Sequence, residues 1–543
     1  MTPLLTDHLR AQASVFPDAV AYRIVDGCEM TFAHWEAASN ALARSLVRMG
    51  VEKGDRVALY LRAEEALRFM VGYAAVHKAG AVAVPTSTRL ADAELERVFE
   101  HAEVRVVLTD SELSVLAHQV TAGLASAPNV VVAPEPSRIT CPRWSWEGTT
   151  PFDDDDTGTD TSTFQVPVTD EDLGDILYTS GTTGTPKGVA VRHRNTVLIP
   201  GEPRPSYSGH CWLHASPLFT FAGVGFVYTP MQLGLCGVYQ PHFDAGRWLE
   251  VVEELRPQLV FLVPSMARLI VAHPRFAGAE LSSVLICAVG SAPLAPSTLR
   301  ALQERMPEAA VSNSYGMTEA GQAFCAMPRG ESLERIGSVG KPMPPLEVRI
   351  IGEDGGDLPP GEVGEALLRL PGNHREYYRD PEATASTWDD GWLRTGDLAR
   401  LDGDGFLYIV GRKKDVIIRG GNNVHAADVE AVLCEHPDVL EAAVVGIPHE
   451  VLGEDVAAVV VLAPGTRTTA QQLREHCISR MADYKVPRSI EITDELPKNA
   501  TGKVLKARLR LQLSAAVSAA AERDANPVAG RVNSFGAAAV HPR

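Results

Sequence analysis

The stretch Tyr178–Gly188, YTSGTTGTPKG, decides how this chain is read. It follows DILYT, a run with the pattern of a buried strand. Hydroxyl residues and two glycines then precede Pro186 and Lys187. Glycines let backbone N–H groups approach a polyphosphate, hydroxyls add donors, and a lysine supplies compensating charge. A Gly/Ser/Thr surface loop is the plain alternative. A Walker-type phosphate loop is the nearer competitor, but it needs Gly before the lysine and Ser or Thr after it. Here Lys187 stands between Pro186 and Gly188, so that reading fails.

Upstream of this loop, helical and strand patterns alternate. Thr31 to Met49 places Trp35, Ala38, Leu42, Leu46 and Met49 at helical spacing, opened by a Thr31 cap and closed by Gly50. Arg56–Leu61 predicts a short buried strand, Glu64–Lys78 a helix ended by Gly80, and Ala81–Val84 and Val104–Leu108 further strands. Such repetition implies a parallel, doubly wound sheet. Around 141–168 the pattern breaks into Pro, Thr, Gly and the run Asp153–Asp156, a surface excursion or linker. Regular patterning resumes at Asp175 and continues to about Leu370. After Gly411 a compact α+β segment follows, with strands at Ala442–Val445 and Ala457–Val461 and helices at Ala426–Cys434 and Thr469–Met481. Beyond Leu511 no core pattern remains, and a frayed tail is expected.

The chain's 543 residues suggest about three to five structural units. Lys+Arg 50 against Asp+Glu 68 leaves a net charge of −18, which argues against a nucleic-acid or anionic-membrane binder. The eight cysteines are scattered without CxxC spacing, so reduced thiols in a cytoplasmic protein are expected. No basic, then apolar, leader opens the sequence. Leu213–Phe243 lacks charged residues over a bilayer-spanning length, yet its prolines, glutamines and histidines suit a buried segment lining a cavity.

Four more motifs follow in order: SYGMTEA at Ser314–Ala320, WLRTGDL at Trp392–Leu398, GRKKDVIIRGGNNVHAADVE at Gly411–Glu430, and LPKNATGKVLK at Leu496–Lys506. With YTSGTTGTPKG they resemble the AMP-forming acyl-CoA synthetase superfamily, which also holds adenylation domains and luciferases. The resemblance covers residues 5–511. It implies an α/β protein with a large N-terminal domain over 1–410, made of two doubly wound α/β subdomains and a small β-barrel. A small mobile α+β C-terminal domain over 411–511 would carry the catalytic lysine, with 512–543 a disordered tail.

The resemblance also implies roles. Thr179, Ser180, Gly181, Thr182, Thr183, Gly184 and Lys187 would bind the phosphates of ATP, with Thr318 beside them. Tyr315 and Gly316 would face the purine, and Asp397 would take both ribose hydroxyls, with Arg412 on ribose or phosphate. Glu319, a hard oxygen ligand, would hold Mg²⁺ together with Thr179. Lys503 would bridge the acid's carboxylate oxygen and the α-phosphate. That chemistry brings two anions together, and a cation at the developing charge lowers the barrier. Lys414 falls at the pivot of a domain rotation. Gly420 and Gly421 would border the tunnel for the pantetheine arm of coenzyme A, although they also fit a turn between strand VIIR and helix AADVEAVL.

The acid pocket would involve Phe219, Thr220, Gly290, Ser291, Ala292 and Ser314. Several of these depart from the family's pattern. Thr220 stands where a histidine is common, and Ser314 and Ser291 where glycines are frequent. The helix after the hinge begins HAADVE, without the usual proline. These departures favour a short, aromatic or polar acid over a long-chain one. The activity implied is conversion of a carboxylic acid to acyl-AMP, then transfer to coenzyme A. A stand-alone adenylation enzyme that loads a carrier protein, or passes the adenylate to an amine or nitrite, is the rival. A non-catalytic acyl or nucleotide sensor is the minor one. Monomer and homodimer are equally compatible with the sequence.

Overall fold

The computed structural model describes residues 3–133, 160–179, 186–196, 202–321, 325–373, 375–463, 465–499 and 503–525. The chain forms two compact units: Met1–Lys414 with Lys498–Lys503, and Asp415–Pro497 with Val504–Arg543.

The larger unit holds three sheets. In the first, the strands Leu173–Thr179, Val82–Pro85, Arg56–Tyr60, Val104–Asp110 and Asn129–Ala133 run parallel. Lys187–Arg192 then adds antiparallel to Leu173–Thr179, and Glu376–Tyr377 antiparallel to Lys187–Arg192. The second sheet has six parallel strands in the order Ala310–Ser314, Ile286–Gly290, Leu259–Leu262, Cys211–His214, Cys236–Tyr239 and Val20–Ile24, with Glu29–Thr31 antiparallel at its edge. The third sheet stands where the small barrel is expected. Its strands are antiparallel, in the order Cys325–Ala326, Ser338–Pro342, Leu407–Arg412, Trp392–Leu401, Gly364–Arg369 and Glu347–Ile351.

The helix expected after Thr31 forms at Phe32–Arg48, and the Thr31 hydroxyl accepts from His34 N–H at 3.2 Å as its N-cap. Its Trp35 is fully buried and donates its indole N–H to the Met70 carbonyl at 2.9 Å. Ala66–Lys78 is buried at every position, and its core cluster includes Val57 and Leu59 of the first sheet and Ala21 and Tyr22 of the second. Its buried cations are paired, Arg68 with Glu65 at 2.8 Å and Lys78 with Glu36 at 2.7 Å, as burial on every side requires.

Asp175 anchors the strand leading into the phosphate loop. This fully buried carboxylate accepts from Tyr73 at 2.9 Å and Tyr228 at 2.7 Å, with His77 Nε2 at 2.9 Å. A buried carboxylate left unpaired would be costly; three partners from two helices hold it and the strand in place.

The uncharged stretch Leu213–Phe243 forms strand, helix Phe221–Leu233 and strand, with Pro230 inside the helix. Among the described residues no helix is long and apolar enough to cross a membrane. The Asp153–Asp156 run lies outside the described residues. The end of the expected excursion is docked: Val166 N–H donates to the Lys78 carbonyl at 2.8 Å, and Arg44 covers the Phe164 ring.

In the smaller unit, Asn422–His425, Val416–Arg419, Gly453–Leu462 and Val439–His449 form an antiparallel sheet, with Ser489–Thr493 parallel to Gly453–Leu462. The helix at Ala426–Cys434 has the bounds the sequence predicts, and Thr469 caps Ala470–Ile478. The expected tail differs. A helix spans Lys506–Ala525, burying Leu509 and Leu513 against Ala443, Val445 and Ile447. The alanine-rich run after Leu513 extends it because Ala has the highest helix propensity. The rest of the tail, 526–543, lies outside the described residues.

Candidate active site

The hairpin of Leu173–Thr179 and Lys187–Arg192 brackets the expected phosphate loop, and Thr179 pairs in register with Lys187. The loop thus joins two antiparallel strands rather than a strand and a helix. Ser180, Gly181, Thr182, Thr183 and Gly184 lie outside the described residues. The Thr179 hydroxyl donates to the Lys187 carbonyl at 3.5 Å. Gly188 has a steric reason to be glycine: a Cβ there would come 2.8 Å from Ile176 Cγ2 and 3.3 Å from the Tyr178 ring. Lys187 Nζ sits 4.8 Å from the Tyr377 ring centroid and 4.0 Å from Asp380 Oδ2.

SYGMTEA begins at the last residue of the strand Ala310–Ser314 and continues into the segment beyond it. Tyr315 donates its hydroxyl to Asp397 Oδ2 at 2.6 Å, and Arg412 Nε lies 2.6 Å from Asp397 Oδ1. Asp397 and Arg412 face each other in register across neighbouring strands, so the third sheet sets this contact. Asp397 is buried, and burial together with the Asp397 charge pushes the Tyr315 hydroxyl well above its ordinary range, keeping it a donor. Gly316 is exposed, with open space where a Cβ would stand. Thr318 presents its carbonyl to Arg375 at 2.7 Å, and Glu319 Oε1 accepts from the Tyr377 hydroxyl at 3.0 Å.

The pocket residues lie at the carboxyl ends of the second sheet's strands, where parallel α/β sheets bind ligands. Gly290 pairs with Ser314, and a Cβ on Gly290 would come 3.0 Å from Phe261 Cζ and 3.4 Å from Ser314 Cβ. Phe261 packs on Phe226 at 5.2 Å between centroids, and Phe226 stacks on His214 at 4.1 Å. Ser291 takes φ +75, the left-handed region that favours glycine. With its amide nitrogen facing them, Asn313 donates to the Ala292 and Val289 carbonyls at 3.2 Å each. Phe219 is half-buried. The Thr220 hydroxyl serves the backbone around it. It donates to the Pro217 carbonyl at 2.8 Å and accepts from Gly223 N–H at 3.0 Å, capping the helix Phe221–Leu233.

Lys414 is the last residue of the larger unit's first segment, within a short 3₁₀ turn over Lys413–Asp415. Gly420 and Gly421, in the smaller unit, take φ +57 and +84 and form the two-residue turn between the strands Val416–Arg419 and Asn422–His425. The turn therefore leads into a strand, and the helix starts only at Ala426. Lys503 is exposed; its N–H donates to Asn499 Oδ1 at 2.8 Å, and its carbonyl accepts from Asn499 N–H at 2.9 Å.

Two residues at the site stand outside every motif. Arg375 is almost wholly buried, and burial lowers its pKa from the ordinary guanidinium value while Tyr228, Asp175 and Glu319 support its charge. Tyr377 lies between Glu319 and Lys187. The one sequence signal for them is a cation and an aromatic two residues apart.

Residues 9–378 match the family of AMP-binding enzymes, and residues 428–503 match the AMP-binding enzyme C-terminal domain. A feruloyl-CoA synthase of Amycolatopsis is 37% identical over 506 residues, covering 92% of this chain and 97% of that one. The long-chain-fatty-acid–CoA ligase FadD13 of Mycobacterium tuberculosis is 32% identical over 533 residues, covering 94% and 98%. The solved anthranilate CoA ligase AuaEII, in complex with anthranoyl-AMP, superposes with a TM-score of 0.83 at 27% identity, covering 96% of this chain and 98% of that one. The chain belongs to the AMP-binding enzyme family. It is an AMP-forming acid–CoA ligase, using ATP to make an acyl adenylate and coenzyme A to take the acyl group.

Proposed function

We propose that this enzyme activates a short or aromatic carboxylic acid, with the ribose of ATP held at Asp397 and the phosphates between the 179–187 loop and Glu319. The observation that carries the nucleotide reading is the convergence of Tyr315 and Arg412 on one buried carboxylate. A carboxylate so oriented accepts paired hydroxyl donors such as those of a ribose. Mg²⁺ fits Glu319, since this ion is commonly bound through one or two carboxylates with substrate phosphates supplying the rest. No group of three metal-ligating side chains occurs among the described residues. Bound at Glu319, the ion would neutralise phosphate charge. Lys503 carries the positive charge to the attacking carboxylate and the α-phosphate, and the smaller unit turns about Lys414 between the two half-reactions, presenting Gly420–Gly421 to the pantetheine arm.

The acid preference rests on Phe261 and Phe226. The Phe261 ring lies beside Gly290, where a Cβ would come within 3.0 Å of it, and packs on Phe226 at 5.2 Å between centroids, which supports a wall that would stop a long acyl chain. Relatives of both kinds, aromatic and long-chain, leave that choice to the pocket. The eight cysteines are scattered without CxxC spacing, which suits a cytoplasmic setting.

The test is acid-dependent ATP–pyrophosphate exchange across an acid panel, with and without coenzyme A, on wild type and Lys503→Ala. Exchange is expected with benzoate- or cinnamate-like acids and lost in the variant. Unchanged exchange in Lys503→Ala would remove the lysine from the mechanism. Preferred turnover of long-chain acids would overturn the acid class.

A further inference from the structure

Tyr377 occupies a junction that the family motifs leave unassigned. It ends the two-residue strand Glu376–Tyr377, paired with Val189 of the strand that begins at Lys187. The next residue ties the segment further, since Tyr378 N–H donates to the Gly188 carbonyl at 2.7 Å. The other side of Tyr377 is fixed too: its own N–H donates to the Thr384 hydroxyl at 2.9 Å, and Trp388 meets its ring edge-on at 5.3 Å. The side chain is thus held by backbone on one side and by an aromatic neighbour on the other.

From this seat it makes two different contacts. Its hydroxyl donates to Glu319 Oε1 at 3.0 Å, and Lys187 Nζ lies 4.8 Å from its ring centroid, within cation–π range. Two residues earlier, Arg375 binds the Thr318 carbonyl at 2.7 Å, which secures the backbone leading to Glu319.

We propose that Tyr377 is a positioning residue of the adenylation step, its hydroxyl orienting the Glu319 carboxylate and its ring face orienting the Lys187 ammonium. One rigid side chain then sets the spacing between the anion that meets the metal-bound phosphates and the cation that meets the phosphates directly. This rests on the reading of Glu319 and Lys187 as phosphate-side groups. The two contacts are chemically separable, because phenylalanine keeps the ring and loses the hydroxyl.

ATP binding is measured by calorimetry on the full chain, with and without Mg²⁺, for wild type, Tyr377→Phe, Tyr377→Leu, Glu319→Gln and Tyr377→Phe/Glu319→Gln. Tyr377→Phe should cut the Mg²⁺-dependent gain in ATP affinity on the order of tenfold, the scale of one hydrogen bond to a charged group, and leave metal-free affinity unchanged. Tyr377→Leu should weaken metal-free binding as well. In the Glu319→Gln background, Tyr377→Phe should add nothing. Should Tyr377→Leu prove unstable, Lys187→Met probes the ring contact from its other end and should weaken metal-free binding. A full Mg²⁺ gain in Tyr377→Phe, with the gain lost in Glu319→Gln, would overturn the positioning role and leave Glu319 intact. A full gain in Glu319→Gln would instead defeat the underlying assignment. Equal, additive losses in both backgrounds would mark Tyr377 as merely structural.

Discussion

Arg412 Nε lies 2.6 Å from Asp397 Oδ1, on a carboxylate whose other oxygen accepts the Tyr315 hydroxyl. Arg412 and Asp397 are register partners, so the ion pair is built into the sheet and does not depend on a chance side-chain encounter. Asp397→Ala removes the acceptor for a nucleotide sugar and leaves a half-buried arginine without its anion. A hydrogen bond to a charged group is worth about 1.5–3 kcal/mol, so the KM for ATP should rise roughly tenfold to a hundredfold. Tyr315→Phe loses one of the carboxylate's donors and should show a smaller rise. Steady-state exchange at varied ATP measures both; an unchanged KM in Asp397→Ala would exclude the ribose role.

Gly188 permits a close approach between the two strands of the phosphate hairpin. A methyl group there would press on Ile176 and Tyr178 of the paired strand, under 3.0 Å in the first case. Overpacking of this kind costs typically about 1–3 kcal/mol and is relieved by moving backbone. The backbone that moves carries Lys187, so Gly188→Ala should lower exchange activity more than it lowers the urea midpoint. Loss of stability with full activity in the surviving folded enzyme would show that the loop tolerates the shift.

Local information makes part of this structure readable. Thr31 with the apolar spacing after it locates the helix Phe32–Arg48, and the Ala426–Cys434 helix needs nothing beyond its own periodicity. Tyr315, Asp397 and Arg412 each stand out in a short motif, and the structure joins them. What escapes depends on distant partners. Tyr377 meets Glu319 across 58 residues of chain, and a lone Tyr in a short edge strand announces no such contact. Thr220 reads as a departure at a pocket position, yet its hydroxyl caps a helix, a role set by backbone geometry downstream. The final helix runs past Leu511 because Leu513 still packs one turn after Leu509, and alanine propensity carries it on from there.

His193 predicts a pH effect on stability. Its ring is buried, neither nitrogen has a hydrogen-bond partner among the described residues, and His77 stands edge-on at 5.0 Å. Burial foremost, then the His77 neighbour, lowers its pKa from 6.5 to about 3. Between those values the unfolded chain binds a proton that the folded chain refuses, so stability falls as pH drops from 6.5 towards 3. One such group contributes a slope of up to about 1.4 kcal/mol per pH unit. Urea unfolding at pH 7, 6, 5 and 4 should show a shallower acid loss in His193→Leu than in wild type. Parallel curves would mean that the imidazole finds a proton acceptor in the folded state.

Phe261 offers a direct handle on acid choice. It lies in the middle of a parallel sheet, in register with His214 and Ala288, is half-buried, and would touch a Cβ on Gly290 at 3.0 Å. Valine suits a strand and removes most of the ring volume, which makes Phe261→Val a mild change for the fold. If the ring closes the acid pocket, the variant should gain exchange activity with longer aliphatic acids and lose it with aromatic ones. A pocket contact worth about 1–3 kcal/mol corresponds to a change of roughly tenfold to two-hundredfold in relative kcat/KM. Gly290→Ala should narrow the panel instead, because its methyl would press on the same ring at 3.0 Å. Opposite shifts in the two variants would locate the chain-length limit at this contact; identical profiles in wild type and Phe261→Val would move it elsewhere.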